Sequence, residues 1–420
     1  MREALRIAKL PKNSSNSSRP PSTDLFTPRR SNDRSLRVTS GKKSGGQPGH
    51  KGATLAFCHD KPDQLIEHSP SVCPDCGRDL TFIQGETDQT HQVIDSTVPS
   101  RILINHTTLM KPCSCGKCNK GIFPPGTEGV VNYGNNLRAL MVNLSVRQYM
   151  PYNRIVEFLE DIFKIHLSEG TIANLLTQFT KSGLSRYNDI QAGIMESAVI
   201  GADETGVKVN GKKRWMHVYQ TDGNTFIGTH PSRGQVAQEA FFPGGFPDAI
   251  LVTDCLAMQL STPAAAHQVY MAHLLRELKA MRESHPEKSW PLNMTALIQD
   301  RYPTARQVSK IERRLEKLLC QNQADAPGKI PAFWKRINKH KEKLFLFLHY
   351  PGRIPSDNNG SERAIRNVKV KVKLKVSGQF KAPKGAIQYA VIISIIDTAN
   401  KQGLNIHEEL AKIAGLPQIN

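Results

Sequence analysis

The chain has 420 residues, 39% of them hydrophobic, and a formal net charge of +19. That length suggests about two to four domains, and that charge is the footprint of a protein that binds a polyanion, nucleic acid above all. No run approaches ~18 uncharged apolar residues, so no membrane span is predicted, and MREALRIAKLPKNSSNSS has no apolar core to act as a secretory signal.

Residues 1–56 carry 12 Lys and Arg against 3 Asp and Glu and are rich in Ser, Pro and Asn. Such a segment buries too little apolar area to offset chain entropy, so a mostly disordered basic leader is expected. Residues 57–122 hold the clustered cysteines. CPDCGRDL and CSCGKC flank alternating, β-branched stretches (HQVIDSTV, SRILINHTTL). Cys73 and Cys76 stand in a C-x2-C spacing that Cys115 and Cys118 repeat. Two such pairs fit a tetrahedral, structural Zn2+. Cys113 is a rival ligand in the second knuckle and His68 a weaker one. Cys58, Cys255 and Cys320 read as ordinary thiols.

Residues 134–194 show apolar residues at three- and four-residue spacing and read as helical. Ser168 is a good N-cap for EGTIANLL. Two helices, a short connection and a third helix fit a helix-turn-helix, and equally a plain helical bundle. From about residue 195 the period changes. SAVIGADETGVKV, RWMHVYQTD and NTFIGTHP read as consecutive strands separated by polar turns. Two further strands, DAILVTD and HQVYMA, alternate with helices. Three antiparallel strands followed by parallel ones is the order of an RNase H-like α/β core. This core is assigned to 195–290 and 351–400, interrupted by a charged helical insertion at 291–350 and followed by a helical tail at 401–420. The predicted fold class is multidomain α+β.

Three carboxylates carry the expected chemistry. Asp203 lies on the first core strand, Asp254 ends the fourth, and Glu362 stands on a late helix. A lone Asp at a strand end is usually a turn or cap residue. Three hard oxygen ligands converging from different elements would instead hold divalent cations. Glu204, next to Asp203, is the runner-up, because alternation points it to the other face. Around them lie possible phosphate contacts. His273 and Arg276 share a helix face in HLLREL. Arg363 and Arg366 follow Glu362; they read as surface ion-pair partners or as a phosphate clamp. In KVKVKLKVSG, read as a strand, Lys371, Lys373 and Lys375 would share one face, solvated or lining a DNA path. Trp215 reads as core.

These residues, taken together, resemble the insertion-sequence-66 family of DDE transposases. The matching motifs run from LPKNSSNSSRPPS and GGQPGHKGATL through CPDCG, LSEGTIANLL, GADETGVKVNGKKRWMHV, LVTDC and AHLLREL to DNNGSERAIRNVKV and SGQF. The resemblance implies that Asp203, Asp254 and Glu362 form the catalytic Asp–Asp–Glu set, 51 and 108 residues apart. It departs from the family at Tyr270, where relatives often have Cys, at Gln259, where they commonly have an aromatic, and at Lys381, where many have Arg. The implied activity is Mg2+- or Mn2+-dependent cleavage at element ends, then strand transfer into target DNA. Terminal inverted repeats and target DNA would be the partners, with a homo-oligomer in the DNA complex, accessory proteins of the element, and no membrane. A bacterial cytoplasmic location follows, nucleoid-associated when DNA is bound. The rival expectations are a catalytically decayed DNA-binding regulator and a structure-specific nuclease on the same fold.

Overall fold

A computed structural model of the chain describes residues 59–84, 86–94, 100–115, 117–124, 126–127, 129–254, 257–300, 305–350, 352–355, 359–372 and 378–415. The expected basic leader, Cys58, Cys255, Lys373 and Lys375 lie outside the described residues. The chain divides into two compact units, and the boundary between Ser100 and Arg101 falls between the two cysteine clusters.

In the first unit, CPDCG forms a tight turn. Cys73 N donates to Arg78 O at 2.9 Å, Gly77 N donates to Cys73 O at 2.9 Å, and a bridge joins Val72 to Asp79. Gly77 closes the turn at φ 70°, a left-handed conformation that glycine adopts without penalty.

The second unit begins with a short antiparallel hairpin, β1 (Met110–Pro112) and β2 (Cys118–Lys120). A helical region follows: α1 (Asn135–Val142), continued by a π-helical turn over Asn143–Arg147, then α2 (Tyr152–Phe163), α3 (Glu169–Ser182) and α4 (Leu184–Met195). Helix α2 ends in a Schellman motif on Lys164, at φ 56°, with Lys164 N and Ile165 N donating to Glu160 O and Leu159 O. Ser168 caps α3 as expected, its Oγ accepting from Thr171 N at 3.2 Å.

The sheet comprises β3 (Val199–Val209), β4 (Lys212–Gln220), β5 (Thr225–His230), β6 (Phe246–Thr253) and β7 (Ala264–Val269), in the order β5-β4-β3-β6-β7. The first three are antiparallel, while β6 and β7 run parallel to β3. The β3–β4 turn is Asn210-Gly211, both at positive φ, the two-residue signal for a hairpin that matches strand twist. Between the later strands lie α5 (Gln235–Phe241) and α6 (Ala257–Ser261).

Helix α7 (Met271–Ser284) leads into α8 (Ser289–Ile298), α9 (Ala305–Leu319) and α10 (Ile330–Lys339). These helices form a second core, shared with Val252 of β6 and Val269 of β7, around Leu274, Leu278, Trp290, Leu297, Ile311 and Phe333. The chain then returns to the sheet through α11 (Asn359–Val372), α12 (Pro383–Lys401) and α13 (Ile406–Ile413). Helix α12 covers the edge of β5: Ser394 Oγ accepts from Ile227 N at 2.8 Å, and Thr398 Oγ1 from Thr225 N at 3.0 Å. Edge N–H groups that would otherwise invite pairing with another strand are thereby satisfied.

One expectation is corrected here. The stretch beginning KVKVK is not a strand: through Val372 it continues α11. The buried positions explain why. Ser361, Ala364, Ile365 and Val368 recur at helical spacing and pack on the sheet, and this period outweighs the local Lys–Val alternation.

Candidate active site

The sheet brings Asp203 and Asp254 to neighbouring strands. Asp203 is mid-β3, and Asp254 directly follows β6, which pairs in parallel with β3. Gly201, two residues before Asp203 and so on the same face, lies against Ser361 at the start of α11. Helix α11 therefore carries Glu362 on the Asp203 side of the sheet.

Asp203 is the most perturbed of the three. Burial, then the charges of Glu204 and Asp254, push its pKa up to about 8; Lys369 and the Glu204 backbone N–H, which donates at 2.8 Å, act the other way. An acid in this state is held protonated near neutrality and gains from any cation that replaces the proton. Glu362 Oε1 lies 3.5 Å from Arg276 Nη2. Asp254 Oδ2 lies 3.9 Å from His273 Nδ1, but burial, Arg276 and Lys369 lower the His273 pKa to about 3. The imidazole is therefore neutral at physiological pH, and this contact is not an ion pair. Beneath the site, Tyr270 donates from its hydroxyl to Val252 O at 2.6 Å and approaches Ala202 O at 3.5 Å, joining β6 to β3. The charges of Asp203, Asp254 and Glu362 all reach that hydroxyl, which places it among the three acids. Among the described residues, no group of three or more His, Cys, Asp or Glu is drawn close enough to hold a metal ion. The donor set is nonetheless the hard-oxygen kind that Mg2+ requires, and Asp203 lacks a full counter-charge.

Glu204 occupies the other face. Its side chain is 1% exposed, Arg233 Nε and Nη2 reach Oε1 at 2.7 and 2.5 Å, and Gln259 Nε2 reaches Oε2 at 2.5 Å. Burial and Asp254 raise its pKa, and Arg233 opposes that shift. Trp215 is not core: it is half-buried, with the Lys213 ammonium 4.6 Å and the Arg233 guanidinium 4.8 Å from its ring. Arg233, Gln259, Tyr270 and Lys369 are the residues sequence reasoning missed. Two of them, Gln259 and Tyr270, stood out as departures from the family pattern, and both make buried hydrogen bonds beside the acids.

Basic charge is unevenly placed. Helix α11 carries Arg363, Arg366, Lys369 and Lys371 against Glu362 alone. Arg363 and Arg366 are exposed, and Lys371 Nζ donates to Ser145 O at 3.2 Å. By contrast, residues 152–182, which span α2 and α3, hold three Lys and Arg against four Asp and Glu. In the cysteine clusters, backbone N–H groups of Cys76 and Asp75 lower the Cys73 pKa. Cys113 is lowered in the same way, first by the Cys115 backbone and thiol. Cys113 is thus in hydrogen-bonding contact with Cys115.

Residues 131–388 match the family model described as Transposase IS66 family. The chain belongs to this family of transposases. A second model, described as a family of unknown function, matches residues 6–56 of this transposase. A comparison with curated proteins finds no match. No helix among the described residues of the transposase is long and apolar enough to cross a membrane.

Proposed function

We propose that this transposase cleaves DNA at the ends of its element and transfers the freed 3′-hydroxyl to target DNA, using Asp203, Asp254 and Glu362 as ligands for Mg2+ or Mn2+. The observation that carries the reading is the buried, underpaired Asp203 on β3, electrostatically coupled to Asp254 at the end of the adjacent parallel strand. The β5-β4-β3-β6-β7 order, antiparallel then parallel, supports an RNase H-like core. Residues 291–350 would be its helical insertion and 351–400 its second half.

When bound, the metal would supply Lewis acidity: activation of the attacking water or hydroxyl and stabilisation of the leaving oxygen. The residues of this chain would do the rest. Asp203, in its deprotonated form, would be a ligand of the cation. Arg276 leaves Glu362 for a non-bridging phosphate oxygen, and neutral His273 donates a hydrogen bond to the same phosphate. Arg363, Arg366 and Lys371, with Lys373 and Lys375 beyond Val372, are assigned to the DNA backbone. Helices α2 and α3 bring no net positive charge, so a helix-turn-helix there would read base edges, through exposed Asn174 and Gln178, rather than attract phosphate. The two cysteine clusters are assigned to structural Zn2+, terminal repeats and target DNA are the partners, and the active complex is a homo-oligomer.

The test is a cleavage and strand-transfer assay on paired element ends with Mg2+. Products joined through the element 3′ end are expected, and they should vanish with Asp203→Asn or EDTA. Activity that survives Asp203→Asn removes the catalytic assignment; sequence-specific end binding without any cleavage favours the decayed regulator.

A further inference from the structure

Glu362 reaches the site from the first turn of α11, and something must fix how deep that turn sits on the sheet. The closest packing there involves two glycines and one amide. Gly201 on β3 is the cross-strand partner of Gln220 on β4. A Cβ at Gly201 would lie 2.5 Å from Gln220 Nε2 and 2.9 Å from Ser361 Oγ. A Cβ at Gly360, two residues before Glu362, would lie 2.6 Å from Gln220 Nε2 and 2.7 Å from its Oε1. The amide therefore fills the space between the strand and the helix start, and it fits because neither backbone position carries a side chain.

An amide at the end of a flexible side chain usually moves aside. This one is anchored. Lys401, at the end of α12, donates to Gln220 Oε1 at 2.7 Å and to the carbonyls of Thr221 at 2.5 Å and Asn224 at 3.0 Å. Three acceptors fix the ammonium, and the ammonium fixes the amide. Burial lowers the Lys401 pKa to about 8, in keeping with its enclosure.

We propose that Gln220, held by Lys401, is a positioning residue that sets the depth of the α11 start, and so the placement of Glu362 relative to Asp203. The inference rests on the metal-binding reading of the three carboxylates. It predicts a compensating pair. Gly360→Ala inserts a methyl group into an immovable amide and lifts the helix start. Gln220→Ala removes the obstacle, so the double variant regains the seat.

The experiment is Mn2+ binding to the full chain, followed by electron paramagnetic resonance, with Asp203→Asn used to identify the signal of this site, and with melting curves to verify folding. Gly360→Ala should weaken Mn2+ binding about tenfold, while Gly360→Ala/Gln220→Ala returns to within about threefold of wild type. A helix-favouring Gly→Ala change would otherwise leave binding alone and raise the melting temperature. An unchanged Mn2+ affinity in Gly360→Ala, or a double variant as weak as the single, overturns the proposal. If Gly360→Ala fails to fold, Gln220→Ala alone decides: it should still weaken Mn2+ binding severalfold, and wild-type affinity in it overturns the proposal. Absence of an Asp203-dependent site in the wild type overturns the metal reading itself, a result distinct from wild-type binding with indifferent variants.

Discussion

Asp203 and Glu204 are adjacent on one strand and face opposite sides of one sheet. On the Glu204 side, a guanidinium and an amide occupy both carboxylate oxygens, and the group is sealed from water. On the Asp203 side, the strongest influences are burial and two like charges, with only Lys369 and one backbone N–H in compensation. One sheet thus separates a fully paired acid from an underpaired one. Similar burial with complete pairing makes a cross-link; similar burial with incomplete pairing leaves a carboxyl group that keeps its proton near neutrality.

The sharpest way to break that comparison is to neutralise each acid in turn. Asp203→Asn should lower Mg2+-dependent cleavage by about three orders of magnitude, whereas Glu204→Gln should retain most activity. Equal losses in a single-turnover cleavage assay would erase the distinction. Stability should respond in the opposite sense. Asp203 has its folded pKa raised to about 8, so the native state holds a proton that the unfolded state has released. Stability therefore falls as pH rises from the ordinary carboxylate range to about 8, then levels. Asp203→Asn should lack that slope and be more stable at pH 8 by roughly 2–4 kcal/mol. Urea titrations at pH 5 and pH 8 measure this.

Glu204→Ala should instead destabilise at pH 7 by about 2 kcal/mol, because Gln259 and Arg233 lose their buried acceptor. The value sits at the low end because the Arg233 side chain is 42% exposed and can return to water. Equilibrium denaturation with an unchanged m-value would check it. Arg276→Ala, on the Asp203 side, should change stability by only ~0–1 kcal/mol, since its pair with Glu362 is partly solvated. Its mark should appear in DNA binding, as a salt dependence shallower by about one phosphate contact. The smallest effect on the sheet is expected from zinc removal. Chelation should release Zn2+ and expose reactive thiols at the two cysteine clusters, with the melting of the sheet unchanged within about 1 kcal/mol; a large shift would mean that these clusters support the core.

Much of the architecture was legible. The NG turn, the β-type runs through Asp203 and up to Asp254, and the Ser168 cap each have a local cause, and local causes are written in sequence. The continuation of α11 was misread because alternating Lys and Val mimics a strand, while the deciding contacts of Ala364, Ile365 and Val368 lie on another element. Trp215 reads as core but is half-buried for a related reason: Lys213, two positions earlier on the same strand, and Arg233, from a loop, both stack their charges on its ring.

By itself the sequence determined the family and the face on which each strand residue lies, and it singled out the three acids as candidates, because motifs, spacing and alternation are properties of a single chain. Only the tertiary structure decided which acid is paired and which is not. Pairing depends on Arg233, Gln259, Arg276 and Lys369, whose charges and donors matter at a few ångströms and whose distance along the chain says nothing of that. The seat of Glu362 is likewise a tertiary property, since Gly201, Gln220, Gly360 and Lys401 meet only once strand, helix and a buried ammonium are packed together.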